Sequence, residues 1–383
     1  MRGWKGPEPP RRAISHAMSR GPFISAEGGV SSLKGGAVLV ANEAAGNMGT
    51  GGERIAVLKS LLAPRFRKLE IRLTTQELSA DRIAGDAVEQ GASQIIVAGG
   101  DGTVSAVARM LVRRPVTLGI IPLGTFNNIA RSLGIPADME TACRIICDGD
   151  DRLVDAGMAN DERYFFEAAG AGLDAALFPL GEEIKTGRWR RIWQFARMTM
   201  KYNAHRVRLE FDCSVAAALP RERRRRFPAS TLSSNSLVMR ALLVAVANGP
   251  YYGSGFAVAP TARLNDGKLT VAAYRRFSKY ELVRHFISIS QGRRRFSPKL
   301  EVFSARRVKI SAFHRLPVHL DGVPFGNAPV RLEAVPRALR IFTPSQDEEG
   351  QGRRNRERGV DLSSPEHVAE PSVRRFPDRL RPC

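Results

Sequence analysis

The segment Gly99-Gly100-Asp101-Gly102-Thr103-Val104 constrains this chain more than any other. The run Gln94 to Ala98 (QIIVA) ahead of it reads as a buried parallel strand, and Ser105 to Leu111 (SAVARML) behind it as a helix. A glycine-rich turn between a strand and a helix N-terminus brings backbone N–H groups and the positive end of a helix dipole to one point, where an anion fits. The glycines leave out Cβ bulk, so the backbone can approach that anion closely. Asp101 is the unusual member. A carboxylate beside a phosphate repels it unless a cation lies between them, which points to a magnesium-nucleotide. The glycine spacing differs from the dinucleotide fingerprint, and the Lys-Ser/Thr ending of the P-loop is missing. The competing reading is a tight turn that merely needs glycine.

A second turn of the same kind weighs against that competitor. Pro122-Leu123-Gly124-Thr125-Phe126-Asn127-Asn128 follows the apolar run Thr117 to Ile121 and opens a helix at Ile129. Two strand-turn-helix units in succession put both turns at the carboxyl edge of one parallel sheet, where open α/β sheets bind ligands. Thr125 and Asn127 offer a hydroxyl and an amide to a ribose or phosphate, and Thr125 also suits a helix cap. Upstream, the strand Val38 to Ala41 ends at Asn42, with Gly46 allowing a sharp turn nearby.

The character changes after Leu153. Short runs of β-formers take over, among them Tyr164 to Glu167, Val207 to Phe211, Ala241 to Ala247, Leu269 to Tyr274, Val308 to Ser311, Pro317 to Leu320, Val330 to Ala334 and Leu339 to Thr343. Spaced strands with turn residues between them predict an antiparallel sandwich or barrel. The expected architecture is a doubly wound parallel α/β nucleotide domain over residues 35–150, followed by a β-rich substrate domain over 151–344. A basic segment, 1–34, and a charged tail, 345–383, flank them and carry the composition of disorder.

No run approaches the ~18 apolar residues of a membrane span, and the basic N-terminus lacks the apolar core of a secretory signal. The four cysteines are scattered and do not read as a disulfide framework. A reducing cytoplasm is the expected compartment. The net charge of +21 favours a polyanionic surface. Trp189, Ile192, Trp193, Ala196 and Met200 share one helical face, flanked by Arg190, Arg197 and Lys201. Such a helix suits an anionic membrane interface, or a surface helix that buries its aromatics. The run Pro220 to Arg226 (PRERRRR) reads as a solvated loop.

In order and spacing these motifs resemble the diacylglycerol kinase catalytic-domain family, which includes bacterial diacylglycerol kinases and sphingosine kinases. The resemblance runs from Asn42 to Gly322: Asn42 to Gly46, Gly99 to Thr103, Pro122 to Asn127, Asp155 with Gly157, Asp266 to Leu269, and Leu320-Asp321-Gly322. It implies a lipid kinase that transfers the γ-phosphate of ATP to a lipid hydroxyl, with diacylglycerol giving phosphatidic acid as the default. An NAD kinase-like enzyme, and a non-catalytic lipid- or nucleic-acid-binding protein on the same scaffold, are the alternatives. It implies ATP contacts from Asn42, Gly46, Gly99, Gly100, Asp101, Gly102, Thr103, Gly124, Thr125 and Asn127. It implies a catalytic Mg2+ on Asp101 and Asp155, and Asp321 as general base. A structural Mg2+ is implied on Asp266 with the backbone carbonyls of Arg263 and Lys268. The implied partners are a lipid alcohol and an anionic membrane, with a homodimer as an option and no specific nucleic acid; the implied location is cytoplasmic and peripheral to the membrane. Without the resemblance Asp321-Gly322 reads first as a hairpin turn; with it, the catalytic reading leads.

The chain departs from the family where many relatives carry acidic residues: Ser105-Ala106, Asn128, Thr270 and Val323 stand at those places. A carboxylate without an acidic neighbour titrates lower than one with it, so the neutral Val323 predicts an Asp321 that is more acidic, and a weaker base, than one with that neighbour, and hence a slow enzyme.

Overall fold

The computed structural model describes residues 35–41, 51–66, 68–176, 197, 202–253, 255, 257–275, 280–281 and 299–345. Asn42, Gly46, Phe256, the terminal segments 1–34 and 346–383, the basic aromatic helix expected around Arg188 to Lys201 (Arg197 apart) and most of a second helix expected over Lys279 to Ser290 lie outside the described residues.

The first half alternates strands and helices: β1 (Ala37–Ala41), α1 (Gly51–Leu62), β2 (Leu69–Leu73), α2 (Ala80–Glu89), β3 (Gln94–Gly99), α3 (Asp101–Leu111), β4 (Thr117–Pro122), α4 (Asn128–Ser132) and α5 (Met139–Asp148). The strands are parallel in the order β2-β1-β3-β4. Side chains alternate across a strand, so β1 feeds two cores. Val38 and Val40 pack with Ile83 and Ala87 of α2 and with Val104 and Val107 of α3. Ala37, Leu39 and Ala41 pack with Leu58 and Leu62 of α1 and with Cys143 and Ile146 of α5. Burial on both faces explains why these strands read as continuous apolar runs.

The second half is antiparallel: β5 (Asp150–Ala159), β6 (Arg163–Phe165), β7 (Ala168–Gly172), β8 (His205–Phe211), β9 (Ser236–Ala247), β10 (Leu269–Arg275), β11 (Leu300–Ala305), β12 (Arg307–Ala312), β13 (Pro317–Leu320), β14 (Val323–Asn327) and β15 (Val330–Thr343). Its core brings together Phe165, Val207, Leu209, Val244, Val246, Val271, Phe303, Ile310 and Leu332.

One strand joins the two halves. The runs Val330 to Ala334 and Leu339 to Thr343 form the single strand β15, irregular in register between Val335 and Leu339. Its first part pairs antiparallel with β12; its last part pairs parallel with β4 through Arg340 and Ile341. The end of β15 thus completes the N-terminal sheet, and among the described residues the strands form one continuous 15-stranded sheet.

The expectation of a solvated loop at Pro220 to Arg226 is corrected for Arg223. Arg221–Arg226 is a 3-10 helix in which Arg223 is buried and ion-paired with the equally buried Glu301 at 3.3 Å. Among the described residues, no helix is long and apolar enough to cross a membrane.

Candidate active site

The two glycine turns stand side by side because β3 and β4 pair in parallel, Gly99 against Pro122. They touch backbone to backbone. A Cβ on Gly100 would lie 3.2 Å from the Gly124 Cα. Gly99 is covered by Thr103, whose side chain would lie 2.9 Å from an added Cβ. Gly102 differs: an added Cβ there meets nothing within 4 Å. Gly102 and Thr125 are the exposed members of the pair of turns. Asp101 ties the turns together, its Oδ1 accepting the Ile129 N–H of α4 at 3.1 Å.

Asn127 is engaged by its own turn. Its backbone is left-handed (φ 50, ψ 47), a conformation asparagine tolerates better than most residues. Its amide donates to the Gly124 carbonyl at 2.8 Å and accepts the Gly124 N–H at 2.9 Å. The amide thereby closes the loop in which a contact to a ribose or phosphate is expected, and the residue is 7% exposed.

Asp321 sits at the tip of the β13–β14 hairpin. It and Gly322 both have positive φ, 46 and 80, the signature of a type I′ turn. The hairpin reading and the functional reading thus describe one object. Its Oδ1 accepts the N–H groups of Glu167 at 2.9 Å and Ala168 at 3.1 Å, and its Oδ2 accepts the Phe166 N–H at 2.9 Å. The Ser105 hydroxyl of α3 donates to Oδ2 at 3.3 Å. Arg109, four residues further on the same helix, adds a favourable charge. Burial pushes the Asp321 carboxyl above its ordinary value, with the three N–H groups and then Arg109 pulling the other way. Val323, 48% exposed, adds no charge to this balance.

A carboxylate that the motifs did not single out lies beside it. Glu167, between β6 and β7, is 7% exposed. Its Oε2 accepts from Asn128 Nδ2 at 2.9 Å, and the same amide nitrogen donates to the Gly253 carbonyl at 2.8 Å. Burial, then the charges of Asp321 and Asp101, hold the Glu167 carboxyl well above the usual range. The sequence does carry a signal for it, an acid inside the apolar run Phe165-Phe166-Glu167-Ala168-Ala169. Ser105, counted above only as a departure from an acidic motif, was missed as a partner of Asp321 in the same way.

Asp155 does not join this group. It is 3% exposed. Its Oδ2 accepts the Gly267 N–H at 2.7 Å and its Oδ1 the Arg337 N–H at 2.9 Å. Through these bonds Asp155 pins the turn before β10 to the irregular part of β15, with one N–H on each carboxylate oxygen. Gly157 is equally structural, because the Phe165 ring occupies the space of its missing side chain. Asp266 and Lys268 lie on the exposed turn before β10, where Asp266 Oδ1 accepts the Lys268 N–H at 3.0 Å; Arg263 is exposed just upstream. His319 of β13 is fully buried and stacked on Tyr252, with ring centroids 5.5 Å apart, and its Nδ1 accepts the Gly322 N–H at 3.2 Å. It props the Asp321 turn from behind.

Among the described residues, no cluster of His, Cys, Asp and Glu forms a ready-made metal site. The donors around Asp101 nonetheless fit magnesium, which takes oxygen ligands and is commonly held by one or two carboxylates plus phosphate. Asn128 Oδ1 is buried with no hydrogen-bond partner, an oxygen left over beside carboxylates.

The diacylglycerol kinase catalytic domain matches residues 36–159, and the YegS C-terminal NAD kinase beta sandwich-like domain matches residues 170–343. A probable lipid kinase YegS-like of Cronobacter sakazakii is 30% identical over 292 residues, covering 74% of this chain and 89% of the relative. A diacylglycerol kinase of Staphylococcus carnosus is 27% identical over 300 residues, covering 75% and 91%. A putative diacylglycerol kinase from Bacillus anthracis has the same fold, with a TM-score of 0.62 at 22% identity over 80% of this chain and 97% of that one.

Proposed function

The chain belongs to the diacylglycerol kinase catalytic-domain family of lipid kinases, and from that membership we propose that it transfers the γ-phosphate of ATP to a lipid hydroxyl, with diacylglycerol as acceptor and phosphatidic acid as product. One observation carries the proposal. Asp321 is a half-buried carboxylate fixed by three backbone N–H groups on a hairpin tip, and Ser105, on the helix that begins at Asp101 of the first glycine turn, reaches it at 3.3 Å.

A carboxylate has about four lone-pair positions, and all are taken on Asp321. Three donors are backbone and cannot leave. The fourth, Ser105 Oγ at 3.3 Å, is the longest and can rotate. The acceptor hydroxyl takes that place and gives its proton to Asp321 as its oxygen attacks the γ-phosphorus; the bond from phosphorus to the ADP oxygen breaks. The exposed Gly102 and Thr125 leave room for phosphates against the turns. Asp101 and Asn128 Oδ1 are the groups that would hold Mg2+, which when bound screens the negative charge of the phosphates. The Asp266 turn, with the Arg263 and Lys268 carbonyls, is kept as a second, structural cation site.

The enzyme acts on the cytoplasmic face of an anionic membrane. The charge of +21 and the exposed Arg221, Arg225 and Arg226 support this. The test is purified protein with labelled ATP and, separately, diacylglycerol, a sphingoid base and NAD. Labelled phosphatidic acid is expected. Labelling of NAD alone, or of nothing, would overturn the assignment.

A further inference from the structure

We propose that Glu167 is a ligand of the divalent cation that accompanies the nucleotide, and that Asn128 aims it. The inference rests on the kinase reading above and names a residue of the same site.

Glu167 is in an expensive position. A carboxylate with 7% exposure loses most of its hydration. The donors that reach it are the Asn128 amide and the backbone of Gly253, and among the described residues no Lys or Arg forms an ion pair with it. Its charged neighbours are Asp321 and Asp101, both of the same sign. A group serving structure alone would be better served there by a neutral amide. With the Asp321 oxygens engaged by their own donors, Glu167 and Asp101 are the carboxylates left for a divalent ion, which one or two carboxylates with phosphate commonly hold.

Asn128 supplies the independent observation. It is 2% exposed. Its nitrogen donates to two acceptors, Glu167 Oε2 and the Gly253 carbonyl, and this fixes which end of the amide is which. The oxygen is thereby left buried with no partner, next to the Glu167 carboxylate. A buried, unpartnered amide oxygen costs stability in the free protein. Beside a carboxylate it forms the kind of donor pair that a hard cation takes. Asp101 holds Ile129, the next residue of the same helix, so the orientation of Asn128 is coupled to the first glycine turn. An acid at position 128 together with Glu167 would add a fourth negative charge to the cluster. The neutral Asn128 accepts Glu167 as a neighbour and steers it.

The test uses the full-length protein with Mn2+ as probe, free Mn2+ being followed by electron paramagnetic resonance in the presence of a non-hydrolysable ATP analogue. Glu167→Gln is expected to weaken Mn2+ binding by about tenfold or more, with the unfolding transition unchanged or raised because a buried charge is gone. The double variant Asn128→Asp with Glu167→Gln, which places a carboxylate on the helix beside the same site, is expected to recover most of that affinity. Mn2+ binding by Glu167→Gln as tight as wild type would overturn the proposal. Recovery failing in the double variant would remove the part assigned to Asn128. Should Glu167→Gln not fold, Glu167→Asp keeps the charge but withdraws it, and the same loss is required. A wild-type protein that binds Mn2+ through Glu167 but phosphorylates no lipid would sink the kinase reading and leave this one standing. A wild-type protein that binds no Mn2+ with the analogue sinks the proposal.

Discussion

A Cβ on Gly124 would stand 2.5 Å from the Cα of Gly100, so the two glycine turns are pressed together as bare backbone. Glycine at 124 is required by the fold before any ligand is considered, and at Gly100 an added Cβ would be tight, 3.2 Å from the Gly124 Cα. Gly102, with open space where its side chain would be, has no such reason.

This separates two substitutions that motif reasoning treats alike. Gly124→Ala is expected to lower stability by about 1–3 kcal/mol, the usual cost of overpacking. Gly102→Val is expected to leave stability within about 1 kcal/mol of wild type and to block nucleotide binding. Denaturant unfolding and calorimetric titration with an ATP analogue check both. Normal nucleotide affinity in Gly102→Val would remove the first turn from the phosphate site.

Asp321 and Ser105 should respond in opposite ways. Asp321→Asn places an amide nitrogen against backbone N–H donors and removes the base, so turnover is expected to fall by about 10²-fold or more. Ser105→Ala vacates the lone pair proposed for the acceptor hydroxyl. Its turnover is expected to stay within about tenfold of wild type, the scale set by losing one long hydrogen bond to the carboxylate. Equal losses in the two variants would contradict displacement of Ser105 by the substrate.

The pH dependence follows from the sign of the Asp321 shift. Its carboxyl is raised by burial, so the base becomes protonated, and activity declines, at a pH above the ordinary aspartate range. The nearby Arg109 charge favours the ionised form and holds the value down. Arg109→Gln is therefore expected to move the acid limb of the kcat/KM profile to higher pH, with the plateau less affected. A profile that does not move would show that the limb belongs to another group.

Asp155 should behave as a structural residue. Asp155→Asn can accept only one of the two backbone N–H groups now bound and turns a donor toward the other. A loss of about 1–3 kcal/mol is expected, with turnover per folded molecule close to wild type. Loss of turnover in a fully folded variant would return Asp155 to the chemistry.

The apolar runs at Val38, Gln94 and Thr117, each followed by small polar turn residues, determined the parallel layer without help, because burial on both faces leaves a one-dimensional signature. The same locality made the glycine turns and the Asp321-Gly322 hairpin legible: turn geometry depends on residues adjacent in sequence. Local reasoning could not join the two runs of β15 across Pro336 or send its end back to pair with β4. Only three-dimensional packing decided that Asp155 faces Gly267 and Arg337 while Glu167 faces Asn128, because each partner lies tens to hundreds of positions away along the chain. A carboxylate's role depends on which donors and charges surround it. For Asp321 that surrounding is made by Ser105, Arg109 and residues 166–168, which come together only when the hairpin docks against α3 and the start of β7.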